Sequence, residues 1–273
     1  MPEPQSGGVR RDGRRDGRRD QQGVAARYRV AEDLTRLVAE AADYSANHPE
    51  AAELGGWWWT PEPALEPPAE PAMRVGEGRE AAVLALFCLG PHLDDGGSDG
   101  LVDLEVPYIL VTERSRGLAK HPGQVAFPGG ALEAFDHGPG AAALREAHEE
   151  IGLDPGRVEV IGLLPPAPVP ISGFMVTPVV GVTEDPGQLT PQAGEVDAVI
   201  RVPVRRLVDP ANRTTSVIRR HGTTHRAPAF VVDGTLIWGF TGILLDRILS
   251  RLGWEEPWDQ EASVDPREYQ PLF

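Results

Sequence analysis

The residues best suited to chemistry fall in one stretch: Gly129-Gly130, then Asp136, then Arg145-Glu146-Ala147-His148-Glu149-Glu150-Ile151-Gly152-Leu153. On a helix, Glu146 and Glu150 differ by about 40° in azimuth, and Glu149 lies about 60° to the other side of Glu146. Three carboxylates therefore share one face. Like charges at these spacings cost an isolated helix a few tenths of a kcal/mol per pair. A hard divalent cation removes that cost and prefers oxygen ligands. Arg145 stands i,i+4 to Glu149, where it can orient one carboxylate without displacing a metal. Gly152 is placed to end the helix in a left-handed conformation. Taken alone, such an acidic run reads as a solvated helix face. The exposed turn Phe127-Pro128-Gly129-Gly130, one loop upstream, favours a site.

Other site types are excluded by pattern. No G-x-x-x-x-G-K-[ST] run is present, so there is no P-loop, and no G-x-S-x-G elbow occurs. His148-Glu149 opens like a zinc-protease motif, but Gly152 stands where the second histidine belongs. His148 points away from the glutamates and reads as an ordinary surface or packing histidine. Cys88 is the only cysteine, which excludes an intramolecular disulfide and argues against a cysteine-based zinc site.

A second stretch is basic. Between Leu110 and Phe127, Arg114, Arg116 and Lys120 stand against Glu113, a local charge of 3 − 1 = +2 in a chain of net charge −15. A strand end that delivers cations beside a carboxylate helix suits a polyphosphate. The overall negative charge argues against a general nucleic-acid binder.

These residues need a scaffold. Apolar and β-branched runs predict strands at Ala81–Leu89, Val106–Thr112, Val158–Leu164 and Val176–Val182. Phe230–Val232 and Leu236–Trp238 flank Asp233-Gly234, a two-residue hairpin turn. Helical spacing marks Tyr28–His48, Ala141–Ile151 and Thr241–Leu252. Strands interspersed with helices predict an α/β sandwich. We divide the chain into a disordered Arg/Asp-rich arm (1–26), a helical segment (27–55) and a Trp/Pro-rich linker (56–80), then the main domain (81–252) and an acidic tail (253–273). Trp57-Trp58-Trp59 is expected to pack on the main domain and pin the linker. The tail, with six acids against Arg267 and with Trp254 and Trp258, is expected to be solvated with an aromatic anchor. No run of 18 apolar residues suggests a membrane span and Met1 to Asp20 is polar, so a cytoplasmic protein is expected.

The stretch from Gly130 to Leu153 resembles the Nudix box: a glycine, five residues, an acid, then R-E-U-x-E-E-x-G-U with U aliphatic. Asp136 occupies the acid position, and eight residues rather than seven separate it from Arg145. The run Leu110-Val111-Thr112-Glu113-Arg114-Ser115 through Phe127-Pro128-Gly129-Gly130 is similar to the signature of coenzyme A diphosphatases, and departs from it at Ala119, where an arginine is expected. Similarity continues through Val160–Pro165, Val176–Gly181, Glu195-Val196 and Trp238–Thr241. The resemblance implies a Nudix fold, a mixed β-sheet between helices. It also implies a Mg²⁺- or Mn²⁺-dependent hydrolase. Glu146 and Glu150 would hold the metal, with the Gly130 carbonyl as a further ligand and Glu149 assisting. Glu149 is the first choice of general base and Glu195 the second; Arg145 orients the cluster. Arg114, Ser115, Arg116, Lys120, His121, Gln124 and Phe127 would contact substrate. The implied reaction cleaves coenzyme A or a derivative into 3′,5′-ADP and 4′-phosphopantetheine. Another nucleoside diphosphate derivative, such as ADP-ribose or NADH, or a non-catalytic ligand-binding module, are the alternatives. A small-molecule partner is implied, without nucleic acid or membrane.

Overall fold

The computed structural model describes residues 16–50, 56–59, 78–90, 107–169, 172–220 and 223–269. The first fifteen residues of the arm, the linker prolines, the Gly/Asp loop near Asp94 and the residue Val106 lie outside the described residues.

The centre of the fold is strand β1 (Arg79–Cys88), which pairs in parallel with β7 (Phe174–Thr183) along its whole length. On its other edge it meets β2 (Tyr108–Arg114) and the short β4 (Gly129–Ala131), both antiparallel. The outer strands are β3 (Val125–Ala126) and β8 (Val196–Pro203) on β2, and β5 (Glu159–Leu163) and β6 (Ala167–Val169) on β7. Period-two alternation decides what each face of β1 buries. Ala82, Leu84, Leu86 and Cys88 pack with Ala142, Ala143, Ala147 and Ile151 of α3 (Pro139–Ile151). Ala85 and Phe87 face the opposite cluster, filled by Leu34, Leu37 and Ala41 of α1 (Asp16–Asn47) and by Leu244, Leu245, Ile248 and Leu249 of α5 (Gly239–Arg251). This is the mixed sheet between helices expected from the sequence.

Helix α1 begins at Asp16, inside the arm expected to be disordered. Its Arg, Gln and Ala residues have good intrinsic propensity. A helix already formed on the packed stripe therefore propagates backward at little cost. Trp57 and Trp58 lie buried in α2 (Gly56–Trp59), a single helical turn. Trp58 Nε1 donates to the Pro165 carbonyl at 2.8 Å, and the Arg251 guanidinium sits 3.6 Å above the Trp57 ring.

A second sheet runs β11 (Thr235–Ile237), β10 (Thr223–Val232), β9 (Arg213–Arg220), β12 (Ser263–Val264). Asp233 and Gly234 both have positive φ, 50° and 81°, as the expected hairpin turn requires. Strand β9 escaped the sequence reading because its buried residues are polar. Thr214 and Thr215 hydroxyls donate to the Ala262 and Gln260 carbonyls, and Ser216 to Ala227.

Those bonds correct the expectation of a solvated tail. Ser263 and Val264 pair in parallel with Thr215 and Ser216, so the tail contributes a short strand to the sheet. Its chemistry completes a buried site around Arg213, a cation with no solvent exposure. Asp246 and Glu255 neutralise it, and Phe230 and Trp258 flank it at 5.2 and 4.9 Å. A buried charge requires such partners. Trp254 packs edge-on against Phe87 and donates through Nε1 to Asp33 of α1 at 3.0 Å. Replacing Trp254 by Ala should therefore lower stability by about 2 kcal/mol in denaturant unfolding, discounted from the cost of deleting a fully buried aromatic. A solvated tail would leave the midpoint unchanged.

Candidate active site

Two close approaches build the centre. Strand β4 lies against β1, with Ala82 opposite Gly130 and Val83 opposite Gly129. A Cβ on Gly129 would sit 2.3 Å from the Ala82 carbonyl oxygen, and one on Gly130 would sit 2.5 Å from the Glu146 carboxylate. Only hydrogen in place of a side chain lets the loop fit between the sheet and the helix. Helix α3 opens on Pro139 and closes at Gly152, whose φ is 70° and whose N–H donates to the His148 carbonyl.

Arg145 joins the loop to the helix. Its Nε and Nη2 fork onto Asp136 at 3.0 Å each, Nη2 also donates to the Ala131 carbonyl, and Nη1 reaches Glu146 at 2.9 Å and Glu149 at 3.1 Å. Hydrogen bonding to Arg145 holds the Asp136 carboxyl below the usual range, and the same bond raises the guanidinium further above its own. Asp136 thus anchors Arg145, a role the sequence reading did not assign.

The three glutamates separate. Glu149 is 55% exposed on the Arg145 fork, whereas Glu146 is half-buried and Glu150 buried. Glu150 Oε2 accepts the Gly129 N–H at 3.2 Å. Burial pushes its carboxyl up to about 7; the Gly129 bond and Arg114 oppose the rise, and the charges of Glu146 and Glu195 add to it. Burial also raises Glu146. Among the described residues no three His, Cys, Asp or Glu side chains form a ligand cluster. The donor set still fits a hard divalent ion: two shielded carboxylates beside a glycine whose missing Cβ leaves a cradle. An ion that keeps several waters needs only one or two carboxylates. Glu150 and Glu146 could supply those, and Gly130 a carbonyl. His148 is exposed, donating through Nδ1 to the Leu153 carbonyl.

A cavity of about 610 Å³ opens beside this centre. Of the seven expected substrate residues, Arg114, His121 and Gln124 line it. The other four do not. Ser115 is buried, its N–H on the Glu195 carbonyl; Arg116 is exposed and paired with Glu113; Lys120 is exposed; Phe127 belongs to the core. Strand β2 continues to Arg114, which carries that guanidinium to the cavity, and its charge is felt by both Glu150 and His121. Burial and then Arg114 lower the His121 pKa. The remaining wall includes Phe174, Trp238, Phe240, Arg219 and Arg267. Trp238 and Phe240 sat in a run marked by resemblance. Arg219 and Arg267 carry no local signal, since only the fold brings them here. Among the described residues, three arginines line the cavity and no Asp or Glu does, in a chain with 41 acids.

A NUDIX domain model matches residues 100–221. A NudL protein of Enterobacter sp. (strain 638), named an uncharacterized Nudix hydrolase, is 39% identical over 153 residues, 56% of this chain and 79% of that relative. The namesake of Salmonella newport (strain SL254) is 39% identical over 147 residues, 54% of this chain and 76% of its own. The chain belongs to the Nudix hydrolase family. It is a hydrolase acting on phosphorus anhydrides, in a family that generally uses divalent metal ions. A solved Nudix hydrolase from M. Smegmatis, RenU, is 26% identical, with a TM-score of 0.37 over 48% of this chain and 74% of its own. Among the described residues no helix is long and apolar enough to cross a membrane.

Two outcomes follow for the Nudix helix. Because the Glu150 carboxyl is raised, its ionisation costs the metal-free fold stability as pH climbs from the unfolded carboxyl range through about 7. In chelator, Glu150→Gln should match the parent at pH 4 and exceed it at pH 8, by on the order of 2 kcal/mol in denaturant melts. Equal curves at both values would contradict the burial of this charge. Gly130→Ala should push the Glu146 carboxylate out of its cradle, weakening Mn²⁺ binding at least ten-fold by calorimetry.

Proposed function

We propose that this enzyme cleaves the diphosphate linkage of a nucleoside diphosphate derivative, and that coenzyme A or a close derivative is its substrate. The observation that carries the reading is the cavity beside the carboxylate helix. Its aromatic side chains suit a base or another flat apolar group, and its arginines suit phosphates. The coenzyme A diphosphatase signature, running from Leu110 to Gly130, supports the same substrate.

Glu146 and Glu150 would hold Mg²⁺ or Mn²⁺ with the Gly130 carbonyl, and such an ion would supply charge neutralisation and water activation when bound. Arg145 fixes the Glu146 carboxylate relative to the loop. Arg114 binds a diphosphate oxygen from the cavity side. Neutral His121 and Gln124 orient the substrate by hydrogen bonds. Two carboxylates stand ready to take the water's proton. Glu149 has one oxygen committed to Arg145. Glu195 makes no ion pair among the described residues, and its charge is felt by Glu150; this favours Glu195 as the base.

A panel of coenzyme A, ADP-ribose and NADH with Mg²⁺, scored by product analysis, tests the substrate. Coenzyme A should give the highest kcat/KM, with 3′,5′-ADP and 4′-phosphopantetheine as products. Faster turnover of ADP-ribose would overturn the assignment. Glu146→Gln and Glu150→Gln should each lower kcat roughly 10²-fold or more with the fold intact by circular dichroism. Ala119 is exposed, and neither it nor Arg116 nor Lys120 is among the described residues that line the cavity. Ala119→Arg should lower KM for coenzyme A several-fold, a charged contact of about 1.5–3 kcal/mol discounted for exposure.

A further inference from the structure

Arg219 and Arg267 stand side by side for a reason visible in the register. Strand β12 pairs in parallel with β9, Val264 opposite Ser216. Three residues further along each chain come Arg267, in the one-turn 3₁₀ segment Pro266–Glu268, and Arg219. Both line the cavity, and the charge of Arg219 is felt by Asp265. Asp265 accepts from Arg267 Nε at 2.9 Å and also from its backbone N–H, which fixes the guanidinium against the tail. Two arginines therefore stand on this stretch of wall, and Asp265, outside the lining, is paired with Arg267. The nearest aromatic lining comes from other elements, Phe174 on β7 and Phe240 on α5.

We propose that Arg219 and Arg267 form a second anion subsite, one that binds a phosphomonoester carried by the nucleoside rather than the diphosphate being cleaved. The charge of Arg114 reaches Glu150 of the Nudix helix, whereas those of Arg219 and Arg267 act on Asp265 of the tail. A substrate bearing a diphosphate and a separate phosphate has a use for both. One bearing only the diphosphate does not. The inference rests on the coenzyme A reading, because that substrate carries a 3′-phosphate on its ribose. It makes the C-terminal segment a determinant of specificity.

The test separates binding from turnover. Calorimetry with the full chain would compare adenosine 3′,5′-bisphosphate with adenosine 5′-monophosphate. The parent protein should bind the bisphosphate about ten-fold more tightly, the effect of one additional charged contact. Arg219→Ala and Arg267→Ala should each erase most of that preference, and Arg219→Lys should restore part of it. Arg36→Ala, on the exposed face of α1, removes one positive charge elsewhere and should leave the preference intact. A parent that binds the two nucleotides equally, or arginine variants that keep the full preference, would overturn the subsite. Turnover of coenzyme A against 3′-dephospho-coenzyme A is scored separately. Loss of coenzyme A hydrolysis with the bisphosphate preference retained would sink the substrate reading and leave the subsite standing. Hydrolysis without any preference would do the reverse.

Discussion

Everything at the centre depends on one arginine. Arg145 has five N–H groups, and the structure engages them with Asp136, Glu146, Glu149 and the Ala131 carbonyl. It is largely shielded from water, so its charge needs these partners as much as they need it. The bidentate fork onto Asp136 sets the plane of the guanidinium, and that plane sets where Nη1 can meet the glutamates. A lysine has no fork and could not fix two directions at once. Through Ala131 the same side chain holds strand β4, which keeps Gly129 and Gly130 against β1. Loop, helix and sheet are therefore tied at a single group, and the carboxylates inherit their positions from it.

Glu150 is the counterpart to this satisfied cluster. It is buried, with the Gly129 N–H as its hydrogen-bond donor and its carboxyl pushed up to about 7. Arg145 gives Asp136, Glu146 and Glu149 a shared cation to bond, while Glu150 has the Gly129 N–H and the charge of Arg114 set against its burial. A divalent ion binding there would be attracted by a carboxylate whose ionised form is held at a cost. That differential links metal binding to folding stability, since the ion binds the folded arrangement and not the unfolded chain.

The sequence was most legible where chemistry and periodicity coincide. Arg145 to Gly152 carries its own helical spacing, its capping glycine and its carboxylates, so helix and site are read together. β1 and β7 announce themselves by continuous apolar runs, as strands buried on both faces do. Legibility fails where a residue's role is set by a distant partner. Thr214, Thr215 and Ser216 look like a solvated polar run until the tail supplies carbonyls for the two threonine hydroxyls and Ala227 one for the serine. The tail in turn looks solvated because Glu255 is counted without Arg213, the buried cation it pairs with. Glu149 shows a subtler limit. A helical wheel places it with Glu146 and Glu150, but an azimuth does not say which carboxylate an arginine will claim.

The acidity of the chain sharpens the meaning of the cavity. A surface of net charge −15 disfavours the approach of an anionic substrate at long range. Screening limits that repulsion to about 8 Å at physiological ionic strength. Inside the cavity the balance inverts, because Arg114, Arg219 and Arg267 line it without a carboxylate among the described wall residues. Phosphate groups gain most from arginine where water is partly excluded, so affinity is concentrated at the site and not spread over the surface. A small nucleotide can place its few charges entirely within the cavity. The same distribution of charge that repels polyanions therefore selects a compact one, provided a cation also neutralises the glutamates that border its diphosphate.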